Sequence, residues 1–191
     1  MNAAAPSIRF QVEFFQPQTQ PYLVCRINGV EFDIFSNPLM SEASLTVDLP
    51  KAHVVFLQPV VAKTDLSIQA RSVIALNSLR ALNGRCSIQS TQPMISLSGN
   101  VTGSDVEIPK SSIIGKTQEA IRQAFIRTFE KGVKEQSGKK IVDALGDVFG
   151  EAEDIKAHAA GAPEDSQIDM RRVFEFFGIA TTHPDETLVS S

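Results

Sequence analysis

One short pattern, repeated four times, constrains this chain more than any other feature. Leu45-Thr-Val47, Leu66-Ser-Ile68, Cys86-Ser-Ile88 and Val106-Glu-Ile108 follow one another at offsets of 21, 20 and 20 residues, each reading apolar, polar, apolar. Two of them extend as near copies, Leu66-Ser-Ile-Gln-Ala70 and Cys86-Ser-Ile-Gln-Ser90, and are followed by Ile74-Ala-Leu76 and Ile95-Ser-Leu97, 21 residues apart. A fixed period of this length marks a repeat architecture in which each unit packs only on its neighbours. Asn77-Ser78, Asn83-Gly84, Ser98-Gly99-Asn100 and the stretch from Thr102 to Asp105 supply residues that turn the chain through sharp corners. A unit of two or three short strands with corners between them is one coil of a parallel β-solenoid. Its strands stack about 4.8 Å apart, and Leu45, Leu66, Cys86 and Val106 form one inward column. A β-sandwich would also space its strands about 8 to 12 residues apart, but it has no reason to copy Ser-Ile-Gln.

The repeat, over roughly residues 45 to 110, resembles the short coils of bacterial β-helix proteins such as bactofilins and filamentous-haemagglutinin-like modules. The resemblance lies in the pattern rather than in signature residues. It implies a parallel β-solenoid and no particular activity.

Ahead of the repeat, Phe10, Val12 and Phe14 alternate with Arg9, Gln11 and Glu13, the period of a half-buried strand. Tyr22 to Ile27 and Val30 to Phe35 flank Asn28-Gly29, a dipeptide that tolerates positive φ at both centres of a type I′ turn. Prolines at 17, 21 and 38 bound these strands, because a ring nitrogen cannot donate to a ladder. Residues 1–38 therefore read as an antiparallel β cap and 39–112 as the solenoid. A solenoid end leaves backbone groups unpaired and its core open, so the hairpins are expected to close one end and the later helices the other.

After the solenoid the period changes to 3.6. Ile121, Ala124, Phe125, Thr128, Phe129, Gly132 and Val133 make one apolar stripe with Arg122, Arg127, Lys131 and Lys134 off it, a helix expected over 117–137 with Thr117 as N-cap and Gly138 as stop. A second stripe, Ile141, Ala144, Leu145, Val148, Phe149, Ala152 and Ile155, completes an amphipathic helical hairpin over 113–160. Residues 116–140 carry 7 Lys and Arg against 3 Asp and Glu, and residues 141–191 carry 3 against 11. Exposed ion pairs between two such helices give only about 0.5 kcal/mol each, so burial of Phe125, Phe129 and Phe149 must dominate. Residues 161–191 read as a linker, a short helix with Met170, Val173, Phe174 and Phe177 on one face and Phe176 beside it, and an unstructured tail. Those phenylalanines either dock on the body or anchor a partner groove.

Little in the chain points to chemistry. Lys110-Ser-Ser-Ile-Ile-Gly115-Lys116-Thr117 follows a strand and opens a helix, the setting of a phosphate loop, yet Lys110 stands where a Walker A loop needs glycine and two β-branched residues crowd the cradle. Anion capture by Lys116 and Thr117 at a helix start is the milder form of that reading. His53, His158 and His183 have no metal-ligand spacing, and Cys25 and Cys86 lie 61 apart without a CxxC. Metal and cofactor are therefore not expected. Polysaccharide cleavage needs convergent carboxylates, and residues 65 to 104 hold only Asp65, Arg71, Arg80 and Arg85 as charges. A net charge of −4 argues against nucleic acid as partner. No apolar run reaches the roughly 18 residues of a membrane span, and Met1 to Ser7 lacks the make-up of a signal peptide, so a cytoplasmic setting is the default.

These features together point to a non-catalytic protein-protein interaction or structural assembly module of 191 residues, binding a protein partner or itself. Candidate contacts are Phe174, Phe176 and Phe177 in the last helix and Arg127, Lys131 and Lys134 on the first. Two alternatives stay open. One is a nucleotide or anion binder through Gly115-Lys116-Thr117. The other is a secreted bacterial effector, because the acidic end and the tail with Leu188 and Val189 resemble carboxy-terminal signals of type IV secretion substrates.

Overall fold

A computed structural model describes residues 11–91, 95–97, 99–108, 113–114, 119–141 and 143–145. The chain opens with three strands, β1 (Val12–Phe15), β2 (Leu23–Ile27) and β3 (Val30–Phe35). Asn28 and Gly29, at φ of 49° and 81°, form the tight turn between β2 and β3, as their sequence requires. The Asn28 side chain also accepts the Gln11 N–H at 2.7 Å, tying the start of β1 to the same corner. β1 pairs antiparallel with β2, and β2 antiparallel with β3.

From β3 onward the chain winds. Its path continues through β4 (Leu39–Ser41), β5 (Leu45–Phe56), β6 (Val60–Ala62), β7 (Leu66–Ala75), β8 (Leu79–Ala81), β9 (Arg85–Ser90), β10 (Ile95–Leu97), β11 (Val101–Thr102), β12 (Asp105–Glu107) and β13 (Ile113–Ile114). All pairs along this stretch are parallel. The register sets Leu45 beside Leu66, Leu66 beside Cys86 and Cys86 beside Val106, the expected column, in one sheet. A second column, Leu39, Val60, Leu79 and Val101, runs along the four-stranded sheet β11-β8-β6-β4. The protein is thus mainly β, a parallel solenoid with an antiparallel hairpin before it and helix after it.

Each coil has three faces. The first half of β5 (residues 45–49), the first half of β7, β9 and β12 line one; β4, β6, β8 and β11 line another. The third is a long sheet in the order β1-β2-β3-β5-β7-β10-β13, to which β5 and β7 contribute their second halves. β5 turns the corner between faces where Pro50, Lys51 and Ala52 stand opposite Arg71 alone and the register shifts. A proline there is consistent, because it gives up a ladder N–H at a break in the ladder.

The long sheet is apolar on both sides, which the simple solenoid reading did not anticipate. Its inward residues Phe35, Val54, Phe56, Val73, Ala75 and Leu97 join the solenoid core. Its outward residues, among them Cys25, Ile27, Phe32, Ile34, Val55, Leu57, Ile74 and Leu76, form a second core with Phe125, Ile126, Phe129, Ile141, Ala144 and Leu145. The helices therefore cover a flank across β1 to β7 instead of closing an end. Fully burying such a side chain is worth about 1.5 to 3 kcal/mol, so Phe125 and Phe129, both fully buried, outweigh any surface ion pair on this helix.

Helix α1 spans Glu119–Glu135, and residues 138–141 and 143–145 are helical after it. The sequence pattern places the stop at Gly138, but α1 ends at Glu135 and is followed by Gln136, whose φ is 53°. The Ser137 N–H reaches back to the Gly132 carbonyl at 2.8 Å and the Gln136 N–H to the Val133 carbonyl at 3.2 Å, a Schellman turn. Ser137 then caps the next helix by accepting the Lys140 N–H at 3.4 Å, which frees Gly138 from the role of stop. Gly132 is where the two helices meet, since a Cβ on it would lie 2.9 Å from Ile141 Cγ1. Phe149, on the second stripe, lies outside the described residues.

Two substitutions test this arrangement. Leu66→Ala, at a fully buried mid-column site, should cost about 2 to 5 kcal/mol in denaturant unfolding, whereas Val106→Ala, at the 39% exposed end of that column, should cost under about 1. Equal costs would mean the column is not continuous. Gln136→Gly should raise the thermal midpoint, because the left-handed conformation costs a non-glycine residue about 1 kcal/mol.

Candidate functional site

The alternation that sends Val12, Phe14, Cys25, Ile27, Phe32 and Ile34 toward the helices sends the intervening residues to the other side of the hairpin. Register aligns them in rows: Phe15, Val24, Asp33 and Val54 in one, Glu13, Arg26 and Glu31 in the next. Arg26 bridges the second row, with Nη2 3.3 Å from Glu31 Oε1 and Nη1 3.8 Å from Glu13 Oε2. Asp33 is fully buried, and neither of its carboxylate oxygens has a hydrogen-bond partner among the described residues. Burial above all, and then the neighbouring Glu31, pushes the Asp33 pKa up to about 8 from 3.8, while Arg26 pulls it the other way. At neutral pH Asp33 carries its proton. Nearby Tyr22, which packs on Phe35 with ring centroids 5.2 Å apart, is raised as well, by burial first and then by Asp33 and Glu31.

On the opposite side of the long sheet, His53 and Ser72 are register partners, and Nδ1 lies 2.5 Å from Ser72 Oγ. Phe32 stacks on the imidazole with centroids 5.0 Å apart. Both polar groups are buried, 0% and 1% exposed, within the layer that the helices cover. A histidine beside a serine hydroxyl is the start of a nucleophilic arrangement, but this serine is closed to any substrate that leaves the core intact.

The strand edges are the remaining polar feature. Among the described residues, the first half of β5 pairs only with β7, and β4 only with β6, at the end where the hairpin stands. At the other end β12 pairs only with β9, and β11 only with β8. Arg85 holds both carboxylates of β12, with Nε 3.4 Å from Asp105 Oδ2 and Nη2 on Glu107, so that edge is charged and short, which discourages pairing with other chains.

Of the residues singled out in the sequence, Arg127, Lys131 and Lys134 come together on the exposed side of α1, away from Phe125 and Phe129. Ile113 and Ile114 lie in β13, paired with Ser96 and Leu97. Gly115, Lys116 and Thr117 fall outside the described residues, as do Phe174, Phe176 and Phe177. No described helix is long and apolar enough to cross a membrane, and no group of three or more His, Cys, Asp or Glu among the described residues is placed to hold a metal. Compared with protein-family models, curated proteins and solved structures, the chain finds no match.

Asp33, Ser72 and the edge strands were not singled out by sequence reasoning. The signal that finds the first two is register: His53 and Ser72 are 19 residues apart and Asp33 and Val54 are 21 apart, close to the coil period.

Asp33 sets a pH dependence. The native state keeps this proton up to about pH 8 and the unfolded chain loses it near 4, so the native state binds more protons in that window. Its stabilising share is complete below about pH 4 and is lost at up to about 1.4 kcal/mol per pH unit as pH rises toward 8. Asp33→Asn should remove that slope and leave the variant more stable than wild type above pH 8, read from urea midpoints at pH 5 and 9.

Proposed function

We propose that this chain is a non-catalytic docking module, a rigid solenoid that presents edges and a basic helix face to a protein partner. The observation that carries this reading is the unequal height of the three faces. Among the described residues the long sheet has seven strands and each other face has four, so β1 and β2 overshoot at one end and β13 at the other. A second copy stacked end on end would need its own long sheet to occupy the space of those strands. That favours a discrete module over a filament. The polar groups that the fold gathers also fit this reading, because Asp33, His53 and Ser72 are sealed between layers and Arg26 and Arg85 are engaged by carboxylates. The likeness to bactofilin-like and filamentous-haemagglutinin-like coils contributes the coil architecture to this reading and no partner.

Affinity purification with quantitative mass spectrometry tests it. We expect a protein captured by wild type to be lost with Arg127→Glu, Lys131→Glu and Lys134→Glu combined, or with Phe174→Ala and Phe177→Ala combined, while the circular dichroism spectrum stays unchanged. Heat from ATP or GTP that disappears in Lys116→Ala would overturn the reading in favour of nucleotide capture. Filaments of wild type in negative stain would overturn it in favour of a polymer.

A further inference from the structure

The end of the solenoid beneath the hairpin has the geometry of a strand acceptor. Residues 45–49 of β5 form a five-residue edge, and the Leu45 N–H already donates to the Asp65 carbonyl at 2.8 Å in the coil beneath. Bonding directions alternate along a strand, so the N–H and C=O groups of Thr46 and Asp48 point away from that coil. Of the inward side chains, Val47 is buried and Leu45 and Leu49 at either end of it are half-buried. β2 and β1 continue the long sheet past β3 by two strand spacings, about 10 Å, and stand as a wall beside this edge. On the side of that wall facing the edge, Phe15 of β1 is 53% exposed, while its register partner Val24 on β2 is buried.

An extended segment on residues 45–49 would sit level with β2, its inward side chains over Leu45 and Leu49 and toward the wall. A second copy cannot enter there with a whole coil, since β2 fills the place of its long-sheet strand. Charge selects the rest of the occupant. Glu42 and Asp48 on the coil and Glu13 and Glu31 on the wall stand against Arg26, which pairs with both wall glutamates, Lys51, and Lys63 in the coil beneath, an excess of one negative charge at this end.

We propose that the β5 edge at residues 45–49 is a docking site for an extended peptide in which basic residues alternate with apolar ones, added as a fifth strand on that face. The inference rests on the docking-module reading and names its ligand class. Apolar side chains would continue the Leu45 column inward, and a lysine or arginine would lie outward beside Asp48, the usual division of labour in strand addition.

The probe is a capped seven-residue peptide alternating lysine and valine, with a glutamate and valine counterpart as control, titrated into the full chain by fluorescence anisotropy. Thr46→Pro removes an outward N–H while leaving the bonds to β7 in place, a position where an edge strand tolerates proline. We expect the lysine peptide to bind at least about tenfold more tightly than the glutamate peptide, and Thr46→Pro to weaken it about tenfold or more. Should Thr46→Pro not fold, Asp48→Lys carries the same expectation. The inference is overturned by equal affinity for both peptides, by affinity that either folded variant leaves unchanged, or by concentration-dependent self-association of wild type that Thr46→Pro abolishes. A protein partner retained equally by wild type and Thr46→Pro would sink this site and leave the docking-module reading standing.

Discussion

The rest of the structure depends on burial of one sheet from both sides. Phe32, Ile34, Val55 and Ile74 on one side, and Phe35, Val54, Phe56 and Val73 on the other, give the long sheet two cores. A solenoid face needs only its inner side apolar, because water satisfies the outer one. Here the outer side must be covered too, and the helices exist in this position to cover it. The hairpin shares the arrangement, since its outward residues belong to the helix-covered core and its inward ones to the solenoid end. Hairpin, coils and helices are therefore three parts of one packing problem.

What the sequence disclosed follows from which surfaces are one-sided. Leu66-Ser-Ile-Gln-Ala70 and its copy alternate cleanly because one side faces water, so the coil period and the column through Cys86 could be read directly. The run Val54-Val55-Phe56-Leu57 has no alternation, since both its sides are buried, and a periodicity reading cannot separate that from any other buried strand. The stripe on α1 was legible down to Phe125 and Phe129, but a stripe does not say what it packs against, and the expectation of an end cap followed from segment order alone. The end of α1 departs from the sequence pattern because glycine is the usual residue for a left-handed stop, whereas here Gln136 takes that conformation, held by the Ser137 to Gly132 hydrogen bond.

The polar features were the least legible. Asp33 sits in a strand whose pattern, Val-Glu-Phe-Asp-Ile-Phe, looks half-exposed, and only pairing with β5 on one side and β2 on the other puts it inside. The meeting of His53 and Ser72 depends on the shift at Pro50, where β5 carries two more residues than β7 across the corner. Without that excess the two would not be partners. The basic side of α1, by contrast, needed no tertiary information, because Arg127, Lys131 and Lys134 recur at helical spacing opposite the phenylalanines.

The placement of the helical layer also bears on how such a chain can lengthen. The described helix residues pack against β1, β2, β3, β5 and β7, and no described side chain of the later coils joins them. A duplicated unit of about twenty residues inserted beyond β9 would extend the winding without separating the strands that the described helix residues touch, whereas one inserted ahead of β5 would pull the hairpin off them. Growth by duplication is thus permitted at the distal end and penalised at the proximal one, so variation in coil number among any descendants should accumulate on a single side of the molecule.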